Sequence, residues 1–144
     1  MRPPKAFQAL LVLLALFVVV VGAVDTLFGT APLPGETAVS PEVDSNYRFF
    51  SALFLAVGLL LLWIARDPLA ADRSLTLRWV CGAVVLGGLA RVLSLAVAGP
   101  PAALLLLLMA VELVVPPLLL WRHHSLLRRA RRPVRGDGPG AVAR

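Results

Sequence analysis

Four long apolar runs, separated by short polar segments, dominate the sequence. They cover residues 6–24, 49–65, 79–98 and 102–121. A helix that spans a bilayer core of about 30 Å needs about 20 predominantly apolar residues, and each run comes close to that length. The pattern therefore predicts an all-α fold: a polytopic membrane protein that forms an antiparallel bundle of four transmembrane helices.

The composition supports a membrane environment for the chain. Of its 144 residues, 59% are hydrophobic and 15% are charged, and the mean hydropathy is +0.86. A soluble domain of this size has too little interior volume to bury so much apolar surface. The first run follows Arg2 and Lys5, as a signal peptide would. Because it exceeds the roughly 7–15 residues of a signal core, we expect a retained helix.

The basic residues fall on one side of the predicted membrane. The N-terminal stub and the second connection carry arginine or lysine, whereas the first connection, residues 25–46, has only acidic charges and the third has none. Because positively charged connections stay in the cytoplasm, this pattern predicts a multi-pass protein of the inner (plasma) membrane with both termini cytoplasmic. The tryptophans fall at the same predicted cytoplasmic interface: Trp63, Trp79 and Trp121. The long first connection is expected to lie over the outer mouth of the bundle.

The formal net charge of the chain is +6, and arginines crowd residues 122–144. Directly after a membrane helix, such a segment is typical of a cytoplasmic tail that contacts anionic lipid headgroups, with a protein partner as the alternative. We expect no nucleic acid partner. The sequence thus predicts a four-helix transmembrane domain over residues 1–121 and a basic, largely disordered tail over residues 122–144.

Two charged residues lie within the apolar runs: Arg91 in the third and Glu112 in the fourth. A charged side chain at the centre of a spanning helix costs about 2.5–3.5 kcal/mol on insertion scales, so it is rarely left unpaired. The tight turn at residues 99–101 makes the third and fourth helices neighbours. At a rise of about 1.5 Å per residue, Arg91 lies about 10 Å and Glu112 about 15 Å below the outer end. Since a long arginine side chain spans that difference, the two are predicted to pair.

Further polar residues fall at the same end of the predicted bundle. Small residues share their faces at helical spacing, as Gly22, Gly58 and Gly87 do, and allow helices to approach closely, which favours a position inside the bundle. Two acidic and two basic members make the set neutral as a group. The complete polar cluster, which we treat as a candidate binding site, is Asp25, Asn46, Arg48, Ser51, Arg91, Ser94 and Glu112.

Pro116 and Pro117 lie one turn after Glu112. A proline cannot donate to the carbonyl four residues earlier, so the two free the carbonyls of Glu112 and Leu113 and predict a kink. Such breaks occur at ligand or ion sites and also at plain packing kinks. Three interpretations of the cluster stay open. It is a structural ion pair that fixes helix register, a site for a lipid, quinone or other amphiphile that opens to the outer leaflet, or a site of proton or ion movement or catalysis.

Other chemistry finds little support in the sequence. Cys81 is the single cysteine, which excludes an intramolecular disulfide and a cysteine-based metal site. His123 and His124 lack further ligands nearby in sequence and are interpreted as interfacial histidines. There is no serine–histidine–acid set and no phosphate-binding loop. The sequence therefore implies no catalytic residue, no metal and no cofactor.

Several short motifs, taken in order, resemble a known family. They are Asn46-x-Arg48, Trp63-x-x-Arg66-x-Pro68, Gly87-Gly88-x-x-Arg91-x-x-Ser94, Gly99-Pro100 and Glu112-Leu113-x-x-Pro116-Pro117. They are similar to those of the small bacterial four-helix membrane proteins of domain-of-unknown-function family 4345, over nearly the whole chain except the basic tail. The resemblance implies a compact four-helix membrane bundle, similar in architecture to DoxX-like proteins, and carries no activity.

The sequence favours two classes of function over a third, a membrane enzyme, which would need Glu112 as its acid or base. The first is a membrane protein without catalysis, either structural or accessory, or binding an amphiphile in an outer-leaflet polar cavity. The second is a small transporter or proton-coupled carrier that uses Arg91 and Glu112. Because four helices alone enclose little pathway, this second class would act as an oligomer.

Overall fold

The computed structural model describes residues 4–33 and 39–130, and four α-helices form almost all of this part of the chain. They are α1 (Lys5–Phe28), α2 (Pro41–Arg66), α3 (Ala71–Ala98) and α4 (Ala103–Ala130). Each is long and apolar enough to cross a membrane. The predicted all-α bundle of four membrane-spanning helices is confirmed.

The helices extend beyond the apolar runs that predicted them. α2 begins at Pro41 rather than at residue 49, and α3 begins at Ala71 rather than at residue 79. The early start of α2 has a local cause: the Ser40 hydroxyl accepts a hydrogen bond from the Val43 amide (3.4 Å), and proline fits the first turn. Hydropathy reports the hydrocarbon layer, whereas helical hydrogen bonds continue into the polar regions on either side.

The fourth helix corrects the expected position of the tail. α4 continues to Ala130 instead of ending at residue 121. Residues 122–130 are therefore helical, and the prediction of a largely disordered segment from residue 122 is wrong for them. The remainder of that predicted tail, residues 131–144, lies outside the described residues.

α1 and α2 form a closely packed antiparallel hairpin. A Cβ built on Gly22 would lie 2.7 Å from the Leu55 amide nitrogen, and one on Gly58 would lie 2.8 Å from the Val19 amide nitrogen. Only a residue without a side chain allows two backbones to approach so closely. The prediction that Gly22 and Gly58 face a neighbouring helix is confirmed.

The hydrophobic core lies at one end of the bundle. We name this the terminal end, where α1 starts, α2 and α4 end, and α3 starts, and we name the opposite end the distal end. All four helices contribute to the core, whose members are Phe7, Leu11, Ala15, Leu61, Ile64, Ala65, Leu77, Val80, Cys81, Leu119 and Leu126.

Packing is uneven along the second hairpin, which α3 and α4 form. No residue of α3 beyond Gly88 is buried, and no residue of α4 before Pro116 is buried. The two hairpins therefore pack together at the terminal end. Within the described residues, the distal halves of α3 and α4 are not closely packed against α1 or α2.

Candidate functional site

A close contact between α3 and α4 positions the central charge pair. Gly88 is buried, and a Cβ built there would lie 2.8 Å from Leu113 Cδ2 and 3.2 Å from Glu112 Cβ. Nearly one turn further along α3, Arg91 Nε donates to Glu112 Oε2 over 2.8 Å. The expected ion pair is present, but Gly88 makes the close approach, whereas Gly87 has nothing within 4 Å of a built Cβ.

The two partners of this ion pair differ in exposure. The Glu112 side chain is 17% exposed, whereas the Arg91 side chain is 41% exposed. Arg91 uses Nε for the contact, and within residues 4–33 and 39–130 neither of its Nη atoms has a hydrogen-bond acceptor. The pair therefore presents free guanidinium donors at a membrane-spanning helix.

The prolines after Glu112 do not end the helix. α4 remains helical through Pro116 and Pro117, and Pro116 is buried. Neither proline has an amide hydrogen, so the carbonyls of Glu112 and Leu113 lose their helical donors. A backbone acceptor is thus available beside the Arg91–Glu112 pair.

Arg48 has a different role from the one its place in the cluster suggested. Its Nε donates to Asp44 Oδ2 over 2.7 Å, and its Nη1 donates to the carbonyls of Thr26 (3.0 Å) and Leu27 (2.7 Å). Asp44 Oδ1 in turn accepts from the Thr30 amide at 3.0 Å. The last carbonyls of a helix need donors from outside it, and Arg48 supplies them for α1. Asp44, which the predicted cluster omits, is its partner.

Three further members of the cluster make no contact with the charge pair. Ser51 is buried, and its hydroxyl donates to the Tyr47 carbonyl within the same helix at 2.8 Å. Asn46 and Ser94 are both exposed. The direction in which each of these side chains points depends on the rotation of its helix about the helix axis. That rotation cannot be derived from a sequence without exact helix bounds.

Among the described residues, Asp25 forms no ion pair and no hydrogen bond with Arg91 or Glu112, and the residue that both Asp25 and Arg91 affect is Tyr47, which the predicted cluster omits. The Asp25 carboxylate and the Arg91 guanidinium both act electrostatically on the Tyr47 hydroxyl. Tyr47 is half-buried on α2. Its position one residue before Arg48, on the predicted polar end, is the signal that could have identified it.

Two cavities lie away from the cluster. One of about 370 Å³ is lined by Leu69, Ala71, Ser74, Leu75, Arg78, Leu127 and Ala130. The other, of about 190 Å³, is lined by Leu10, Val115, Leu118, Leu119 and Arg122. Neither is lined by a residue of the polar cluster. Arg91 and Glu112 lie instead in the stretch of α3 beyond Gly88 and of α4 before Pro116, where no residue is buried, and we name this stretch the open face.

A second polar group lies inside the terminal end. His123 is 1% exposed and stacks on Phe7 with 6.1 Å between ring centroids. Its Nε2 lies 2.8 Å from the Pro68 carbonyl oxygen and 3.3 Å from Ser74 Oγ. Because a carbonyl only accepts, Nε2 carries the proton and donates. His123, treated above as an interfacial histidine, is thus a buried contact between α1, α3, α4 and the α2–α3 connection.

Metal chemistry receives no support from the part of the chain that the structure describes. There, no three side chains of His, Cys, Asp or Glu gather where they could hold an ion.

Comparison with known proteins identifies the family. Residues 6–123 match the family model described as Domain of unknown function (DUF4345). The chain belongs to this family. The match includes Arg91, Glu112 and most of the length of all four helices. No curated protein matches the chain, and no solved structure does.

Proposed function

We propose that this membrane protein binds the polar head of an amphiphile at the Arg91–Glu112 pair, from the bilayer and beside the open distal half of α3 and α4. One observation carries the proposal: the Arg91 side chain is 41% exposed, with both Nη atoms unbonded within the described residues. Arg91 lies about 10 Å from the distal end of α3, at a rise of about 1.5 Å per residue.

The energetic argument concerns the free donors. A polar group that enters hydrocarbon without a hydrogen-bond partner costs several kcal/mol, and membrane proteins rarely leave such a group unsatisfied. An amphiphile brings acceptor oxygens to the guanidinium and an apolar tail to the neighbouring lipid-facing surface. That surface is apolar here: Leu89, Val92 and Leu93 are all exposed.

The charge of the site favours a neutral head over an anionic one. Glu112 already neutralises Arg91, because its carboxylate accepts a hydrogen bond from Arg91 Nε over 2.8 Å. A phosphate group would meet the Glu112 carboxylate as well as the guanidinium, whereas a carbonyl oxygen needs only a donor. The proposed ligand is therefore a neutral amphiphile with carbonyl oxygens, such as a quinone or an ester lipid.

No observation favours the transporter alternative in this conformation. A transport route would have to continue from Arg91 to the terminal end. There, Leu11, Ile64 and Leu77 are each 0% exposed and close the interior of the single chain. A purely structural ion pair is the competing role, and it predicts no loss of ligand when the pair is replaced.

The test compares ligand retention in three forms of the protein. Native mass spectrometry of the detergent-extracted protein, followed by titration with an isoprenoid benzoquinone, measures occupancy. We expect Arg91→Leu/Glu112→Leu to weaken quinone binding at least about tenfold, or about 1.4 kcal/mol. Arg66→Leu/Asp72→Leu, which removes one charge of each sign from exposed positions at the terminal end, serves as the matched control and should bind as the unmodified protein does. Equal occupancy in the folded double variant would assign the pair a structural role only.

A further inference from the structure

We propose that the cavity of about 370 Å³ at the terminal end binds the phosphate-bearing headgroup of an anionic phospholipid, with Arg78 as its cation. The cavity lies between the first turns of α3 and the last turns of α4. It is separate from the Arg91–Glu112 pair in position and in chemistry, so it does not depend on the function proposed above.

Two tryptophans indicate the depth of this cavity in the membrane. Trp79 follows Arg78 directly and is 74% exposed, and Trp121 of α4 is 70% exposed. Exposed indole rings on spanning helices occupy the headgroup level of the bilayer. Arg78 therefore lies at the depth of the lipid phosphates, and the cavity extends from there to Ala71 in the first turn of α3.

The charges around the cavity favour an anion. Within residues 4–33 and 39–130 the ion pairs are Arg48–Asp44 and Arg91–Glu112, so Arg78 has no carboxylate partner there. The first turn of α3 adds backbone donors, because Ala70 makes no side-chain cap and Ala71 lines the cavity. Asp72 is also in that turn, but it does not line the cavity.

The walls distinguish a phospholipid from a free phosphate ion. Leu69, Leu75 and Leu127 supply apolar surface next to Arg78. An inorganic ion gains nothing from such walls, whereas the glycerol and upper acyl carbons of a lipid are removed from water against them. A volume of about 370 Å³ is also within the range of about 300–1,000 Å³ that small-molecule sites occupy. Basic pockets between membrane helices are known sites for anionic headgroups.

The binding experiment uses the full chain in nanodiscs of phosphatidylcholine, with labelled phosphatidylglycerol as the probe. We expect Arg78→Gln to weaken phosphatidylglycerol binding at least about tenfold, or about 1.4 kcal/mol. Arg66→Gln removes the same charge from an exposed position at the end of α2 that does not line the cavity, and it should change binding less than about twofold. Equal losses in the two variants would show diffuse electrostatic attraction and overturn the proposal.

A second variant tests the cavity itself without changing charge. Leu127→Trp should fill the space and reduce phosphatidylglycerol binding as strongly as Arg78→Gln does, while melting in detergent shows whether the bundle is intact. Retained binding in a folded Leu127→Trp protein would place the lipid elsewhere. Inorganic phosphate should compete poorly at millimolar concentration; if it displaced the lipid completely, the site would be one for free phosphate and the lipid assignment would be wrong.

Discussion

Arg48 and Arg91 both lie in the distal half of the bundle, but their hydrogen-bond partners give them different roles. Arg48 is bound on three sides, to Asp44 and to the last carbonyls of α1. Arg91 has one partner and two free nitrogens within the described residues. The sequence pattern puts both in one cluster because they lie at a similar depth and on helix faces that also carry small residues. The i, i+4 spacing of Asp44 and Arg48 was the available signal that separates them.

His123 shows a residue whose importance the sequence did not reveal. Its neighbours Arg122 and His124 are polar and exposed, and hydropathy puts all three outside the membrane. Its burial depends on Phe7, Pro68 and Ser74, which come from two parts of the chain that are both distant in sequence from His123. Contacts of this kind arise from tertiary packing, which local pattern does not encode.

The buried histidine leads to a stability prediction at the residue scale. His123→Ala removes the shorter donor to the buried Pro68 carbonyl and leaves a space beside Phe7. We expect a loss of about 2–4 kcal/mol in unfolding free energy, mainly from lost packing, because Ser74 Oγ still donates to the Pro68 carbonyl over 3.3 Å. Chemical unfolding in mixed detergent measures it.

His124→Ala is the matched control for this prediction. His124 is exposed on the same helix and contacts only Arg128 among the described residues, at 2.7 Å. Its removal should cost less than about 0.5 kcal/mol. If the two variants unfolded at the same denaturant concentration, His123 would not hold the terminal end together.

At the level of secondary-structure elements, the number, the type and the order of the helices were predictable from the sequence. Apolar runs of spanning length are sufficient for that, since the bilayer leaves few other structures open to them. The helix ends were predicted less well, because capping and helical hydrogen bonds decide them. Ser40 followed by Pro41 and two acidic residues was a readable start signal for α2.

The α1–α2 hairpin gives a prediction about helix packing. In Gly58→Ala, the new Cβ would lie 2.8 Å from backbone and side-chain atoms of Val19, so the helices must separate. We expect a destabilisation of about 1–3 kcal/mol, as for other overpacked sites. Gly87→Ala adds the same methyl group where nothing lies within 4 Å and should leave detergent melting unchanged or slightly raised. Equal melting of both variants would contradict the close α1–α2 contact.

The α3–α4 hairpin depends on its charge pair in an asymmetric way. Arg91→Leu leaves Glu112, only 17% exposed, without its partner, and we expect a loss of about 3 kcal/mol. Glu112→Leu should cost less, because Arg91 is more exposed and its long side chain can reach the polar region. The double variant should recover most of the loss. A double-mutant cycle measures the coupling, and strictly additive effects would show that the two charges act independently.

At the scale of the whole molecule, packing density and the candidate site lie at opposite ends. The core that all four helices share is at the terminal end, and the Arg91–Glu112 pair is in the distal half. The position of the pair toward the distal end was predictable from the sequence. The rise per residue and the tight turn between α3 and α4 are enough to calculate the depth of each residue. The open face around it was not predictable, since it depends on where the second hairpin stops packing against the first.

The uneven packing of the two hairpins predicts larger motion at the distal end than at the terminal end. Regions with few buried contacts open at lower free energy than a packed core. In a Cys81→Ala background, spin labels on exposed Val43 and Val97 report the distal separation of the hairpins, and labels on exposed Leu10 and Leu75 report the terminal one. We expect double electron–electron resonance to give a broad distance distribution for the distal pair and a narrow one for the terminal pair.

Added isoprenoid benzoquinone should narrow the distal distribution, because a ligand at Arg91 selects one arrangement of the open face. Two equally narrow distributions without ligand would mean that the distal half is as rigid as the core, and the free Nη donors of Arg91 would then belong to a fixed surface.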